Sequence, residues 1–165
     1  MVKFLGSILF VSLIIDSVVS VNLPFYVISD TTNWVEGPSS SSGMFSIVTS
    51  TDSLWTASIP GANWIWDFSG SGPIGVGNFY KYFFIAGSPT SSTLEIAADG
   101  IFKTFINGQT ISCDDTTGNT YLNKITCYPT LSAFVSGINV FHVEVTNASQ
   151  GNCGLLYKLY VVSTY

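Results

Sequence analysis

Leu94 to Ile111 reads LEIAADGIFKTFINGQTI. Apolar residues alternate along it, and the pattern breaks twice, at Asp99-Gly100 and at Asn107-Gly108. Leu94, Ile96 and Ala98 share one side, and Glu95 takes the other. Phe102, Thr104 and Ile106 then alternate with Lys103 and Phe105. A period of two is that of a strand with one face in a core. Asn-Gly between two such runs is a strong hairpin signal, because both central residues of a type I′ turn need positive φ. Asp-Gly also tolerates that conformation. The stretch therefore predicts strands of a meander, with a tight turn at Asp99-Gly100 and a hairpin at Asn107-Gly108.

The same logic holds to either side. In INVFHVEVTNAS, Phe141, Val143 and Val145 form an inward face, with His142 and Glu144 opposite. In FYKYFFIAG, Tyr80, Tyr82 and Phe84 share a face, with Lys81 opposite. GLLYKLYVV sets Leu155, Tyr157, Leu159 and Val161 against Lys158. FYVISDTTNWVE reads as a first strand and turn, and GPSSSSG (37–43) as a flexible connection. Helix signals are scarce, so the chain predicts an all-β sandwich or barrel of many short strands.

The first residues, MVKFLGSILFVSLIIDSVVS, combine a lysine, a short apolar run and small residues before a cut. That is the pattern of a secretory signal peptide over residues 1–20. Asp16 interrupts the run, which is too short to span a bilayer. Residues 21–165 are then one domain, large enough to build its own core. No later segment is long and apolar enough to cross a membrane, so no membrane span is expected in the mature chain. The 165 residues carry a net charge of −5, with five lysines and no arginine. Nucleic acid and anionic membrane surfaces are excluded, since phosphates need clustered Lys and Arg.

Four segments occur in a telling order. IPGANWIWD (59–67), FYKYFFIAG, LEIAADGIFKTFINGQTI and INVFHVEVTNASQGNCGLLYKLYV together resemble the galactose-binding-like jelly-roll domain appended to many glycoside hydrolases and cell-surface proteins. The similarity spans roughly Trp55 to Val162. Lys81 stands where an arginine is common, Cys153 sits in a turn usually made of small residues, and the 113–127 insert is extra. The resemblance implies an antiparallel jelly-roll β-sandwich of about eight to nine strands, and sugar binding only weakly. A fold does not fix a function.

The candidate ligand-binding residues are Trp64, Trp66, Asp67 and Asp99. An aromatic face stacks on the apolar side of a pyranose, and a carboxylate fixes hydroxyls. Against that stands a structural reading. The two tryptophans straddle a strand, one in the core and one as a lid, and Asp99 caps its own turn. Trp34 and Trp55 are weaker candidates of the same kind. DDTTGN (114–119) and Asp99 offer oxygens suited to Ca²⁺, but the spacing matches no calcium loop, and no cofactor is called for. His142 is the only histidine and has no evident catalytic partners, so no enzyme is expected.

Three cysteines leave one over. Cys113 and Cys127 enclose a polar loop with little apolar surface, so they are the favoured disulfide, with Cys153 free or intermolecular. Asn147-Ala148-Ser149 is a glycosylation acceptor at Asn147. The four lysines of residues 21–165 give thin protection to the edges of many strands. Two roles follow. One is a secreted module that binds carbohydrate or makes extracellular surface contacts. The other is a self-assembling subunit of an extracellular filament, sheath or coat. The partners are accordingly a glycan, an extracellular protein, or copies of the chain itself.

Overall fold

The structure, a computed structural model, describes residues 20–165. The expected leader, apart from Ser20, lies outside the described residues. In chain order the strands are β1 (Asn22–Ile28), β2 (Trp34–Gly37), β3 (Ser40–Phe45), β4 (Ile47–Val48), β5 (Ile65–Trp66), β6 (Ser71–Gly72) and β7 (Gly75–Ile85). There follow β8 (Ser88–Asp99), β9 (Ile101–Ile106), β10 (Gln109–Thr110), β11 (Ile125–Cys127), β12 (Gly137–Asn147), β13 (Gly151–Asn152) and β14 (Gly154–Thr164).

Two antiparallel sheets form the sandwich. The first has the order β11-β8-β14-β5-β4, and β1 pairs with the C-terminal half of β14. The second has the order β10-β9-β12-β7-β2-β3, while β6 and β13 form a small ribbon. This is the all-β architecture expected from the alternation. Among the described residues there are fourteen strand segments instead of eight or nine. The additional ones are two- and three-residue pieces, too short to leave a periodic trace in sequence.

The inward faces are those the period of two predicts. Leu94, Ile96, Phe102, Ile106, Phe141, Val143, Leu155 and Leu159 are all buried in one cluster. Tyr157 joins them, edge-on to Phe141 at 4.8 Å, and its hydroxyl accepts a hydrogen bond from Asn33 Nδ2. Burial of side chains of this size contributes roughly 1.5–3 kcal/mol each, which is the main term holding the sheets together.

The two breaks of the opening stretch differ. Asn107 (φ 51°) and Gly108 (φ 77°) form the expected hairpin, and β10 folds back on β9. Asp99-Gly100 is instead a corner, because β8 lies in the first sheet and β9 in the second. Gly100 has φ 130°, and a Cβ there would stand 2.5 Å from the Thr146 carbonyl oxygen. Residues 37–43 are likewise no slack connection. Gly37 pairs with Ser40, and the segment is the hairpin between β2 and β3.

Cys113 and Cys127 form a disulfide. Within the loop they close, Asp114 Oδ1 accepts from the Thr104 amide, and Asp115 accepts from the amides of Thr117 and Gly118. Asp114 Oδ1 and both carboxylate oxygens of Asp115, considered for Ca²⁺, are thus engaged in shaping the backbone. Cys153 is fully buried and unbridged. Burial first, then the charges of Asp99 and Asp67, push its thiol up to about 11. A bridge from it to a second chain is therefore closed off in the folded protein. Asn147 is also buried, and its Nδ2 donates to the Pro73 carbonyl. The nitrogen that would carry a glycan is turned inward.

Candidate binding pocket at one end of the sandwich

Three loops meet at one end of the molecule. The first, between β4 and β5, carries Asp52 to Trp64. The second, between the disulfide cysteines, carries Tyr121. The third, between β12 and β13, carries Ser149 and Gln150. The first two are tied by the amides of Thr56 and Ala57, both donating to the Tyr121 carbonyl, and by the Thr56 hydroxyl donating to the Leu122 carbonyl. Asp99 reaches the same place from the end of β8. Asp52, Leu54, Trp55, Asp99, Tyr121 and residues 149–152 line a cavity of about 190 Å³ there.

Trp55 forms the aromatic wall. Its ring packs on Trp64 with centroids 4.5 Å apart, and both indoles lie over Gly154. A Cβ at Gly154 would come within 2.8 Å of the Trp55 ring, so only glycine admits this stack. Trp55 and Asp99 line this cavity together. Burial pushes the Asp99 carboxyl above the usual carboxylate range; the neighbouring Trp55 side chain opposes that, and the nearby Asp52 charge adds to it. Asp52 accepts from the Leu54 amide at 2.9 Å, which fixes the turn that delivers Trp55.

Of the residues singled out in sequence, Asp99 lies in this pocket and Trp64 stands behind it. Trp64 packs on Ala57, Ile59, Ala97 and Leu156, and its role is to back Trp55. Trp66 faces the other way. It is fully buried against Phe79 at 5.2 Å, as a core residue that no sugar can reach. Asp67 is buried too. Its Oδ2 accepts from the Ser39 amide at 2.7 Å, and the carboxylate packs on Gly37. Strand alternation alone would put residues two apart on one face; β5 covers only Ile65–Trp66, so Trp64 lies in the preceding loop and packs on a different cluster from Trp66. Trp55 is the tryptophan that lines the pocket. Its signal in sequence was faint, because a lone tryptophan in a polar loop has no periodicity to place it.

No protein-family model matches the chain, and no curated protein matches it either. Solved structures do. A Streptomyces avermitilis α-L-rhamnosidase complexed with L-rhamnose matches 82% of the chain at 21% identity, with a TM-score of 0.51. The chain spans 13% of that enzyme's length. A family 35 carbohydrate-binding module from Clostridium thermocellum matches 82% of the chain and is itself 97% covered, at 17% identity and a TM-score of 0.43. The rhamnosidase match shows the same β-sandwich architecture.

Proposed function

We propose that this protein is a secreted, non-catalytic module that binds a neutral glycan in the end pocket. The observation that carries the reading is the Trp55–Asp99 pair on the wall of one cavity. An indole offers an apolar face to the C–H side of a pyranose. A carboxylate beside that indole, with Asp52, Tyr121, Gln150 and Asn152 around it, offers acceptors and donors to hydroxyls. Two carboxylates and no lysine line the cavity, so its charge disfavours uronates and sulfated sugars. The shared architecture with part of a rhamnosidase fits this reading, as do the leader-like first residues and the disulfide.

Titration with neutral and acidic monosaccharides and oligosaccharides, followed by calorimetry, tests it. Neutral sugars are expected to bind, with acidic counterparts at least several-fold weaker. Asp99→Asn and Trp55→Ala are each expected to lower affinity about tenfold or more, as removal of a charged hydrogen-bond partner or of an aromatic platform does. Absence of binding across neutral glycans, or an unchanged affinity in both variants, would remove the end pocket as a sugar site.

A second reading rests on the outer face of the second sheet. Phe84 (65% exposed) and Ile138 (71% exposed) are register partners there, beside the exposed Tyr82. Such a contiguous apolar patch marks an interaction site in most soluble proteins. A second copy of the chain covering it is the assembly reading.

A further inference from the structure

The outer face of the second sheet carries a row of five rings. Phe105, His142, Tyr80, Trp34 and Phe45 are successive register partners on β9, β12, β7, β2 and β3. On one side the row is closed. His142 stacks between Phe105 (4.9 Å, 17°) and Tyr80 (4.5 Å, 8°). Between Tyr80 and Trp34 it opens. The Trp34 indole leans onto Gly43, where a Cβ would lie 2.4 Å from the ring, and meets Phe45 edge-to-face at 5.6 Å. His142 covers one face of Tyr80, so the opposite face turns toward β2. A groove of about 500 Å³ remains, lined by Thr32, Trp34, Glu36, Phe45, Tyr80 and Tyr82.

We infer that this groove binds a small quaternary-ammonium cation. Four rings line it, and the one ionisable acid among them, Glu36, has no ion-pair partner among the described residues. Lys81, whose ammonium bonds Thr32, is neutralised by Asp30 at 2.6 Å. The site therefore presents π-faces and an unpaired carboxylate. A methylated ammonium has no N–H to satisfy and is attracted by ring quadrupoles and a nearby negative charge. A primary ammonium would forfeit its hydration for few acceptors, and an anion meets Glu36. The chain's net charge of −5 favours the approach of a cation as well. This groove lies on a sheet face, apart from the end pocket, and the inference is independent of the glycan reading.

The test uses the full chain and follows the Trp34 indole N–H by NMR. Tetramethylammonium and choline are the probes, with the tert-butyl analogue of choline, in which carbon replaces nitrogen, as the neutral control. Choline is expected to shift the Trp34 resonance and to bind about tenfold more tightly than the neutral analogue. Glu36→Gln and, separately, Tyr82→Ala are each expected to weaken choline about threefold; both positions are exposed, so the fold is retained. Phosphocholine distinguishes a free base from a phosphate-bearing headgroup. Weaker binding than choline assigns the free base, and equal or tighter binding assigns the headgroup, each with the cation site intact. Equal affinity for choline and its neutral analogue, or no Trp34 shift with either cation, overturns the inference.

Discussion

His142 shows how one residue's surroundings set its chemistry. Rings cover both of its faces, and its Nε2 lies 3.0 Å from Asn78 Oδ1, so Nε2 carries the hydrogen and donates it. Burial holds its pKa below the usual 6.5, while the charges of Glu144 and Glu36 pull the other way. Glu144 itself is drawn toward Lys103 at 3.7 Å. A histidine with a lowered folded pKa binds its proton more readily when unfolded. Its contribution to stability is present above about pH 6.5 and is lost as pH falls through that value toward the folded pKa. Denaturant midpoints between pH 7.5 and 5 are therefore expected to fall in the native chain and to fall less in His142→Phe. Asp99, with its raised pKa, contributes with the opposite sign, and comparison with the variant cancels it. Equal slopes in both proteins would refute this account. The alternation of INVFHVEV made the outward placement of His142 legible in sequence. The stacking was not legible, because it depends on which residues of β7 and β9 come into register beside it.

At the scale of the elements, local chemistry was readable and cross-sheet geometry was not. Asn107-Gly108 specifies its own turn, since positive φ at both positions is a local demand. Gly100 demands the same freedom, yet its reason lies in the Thr146 carbonyl on another strand. A sequence separates these cases poorly, so a corner between sheets reads as a turn within one. The disulfide loop follows the local rule. It has few buried apolar residues of its own, and Cys113–Cys127 fastens it to β11 at the edge of the first sheet. Its separation of 14 residues gives about 3 kcal/mol of stability in the chain-entropy account. Tyr121, whose carbonyl anchors the Trp55 loop, lies inside it. Replacing both cysteines by serine is thus expected to lower unfolding free energy by about 3 kcal/mol. Glycan affinity should fall as well, under conditions where circular dichroism still reports a folded sheet. A loss of stability with full affinity would separate the loop from the pocket.

Over the whole molecule, composition pointed to sparse surface charge, and the structure locates where that matters. The outer face of the second sheet has an aromatic row in the middle and, beyond Tyr82, the Phe84–Ile138 pair. Alternation sets Phe105 on the outward side with Lys103, but it is half-buried against His142. Phe84 is the better probe of contact between copies, since it is open and stacks on no other ring among the described residues. Burying apolar area here would stabilise a contact by about 25 cal/mol per Å² before the costs of association. Such a contact would be insensitive to salt, because screening acts on charges. Light scattering of the native chain at rising concentration is expected to show mass above the monomer at low and high salt alike. Phe84→Lys is expected to restore the monomer without altering glycan binding at the far pocket, because it places a charge in the patch and touches neither Trp55 nor Asp99. If the native chain stays monomeric at high concentration in both salts, the patch is no interface between copies, and the end pocket remains as the functional surface.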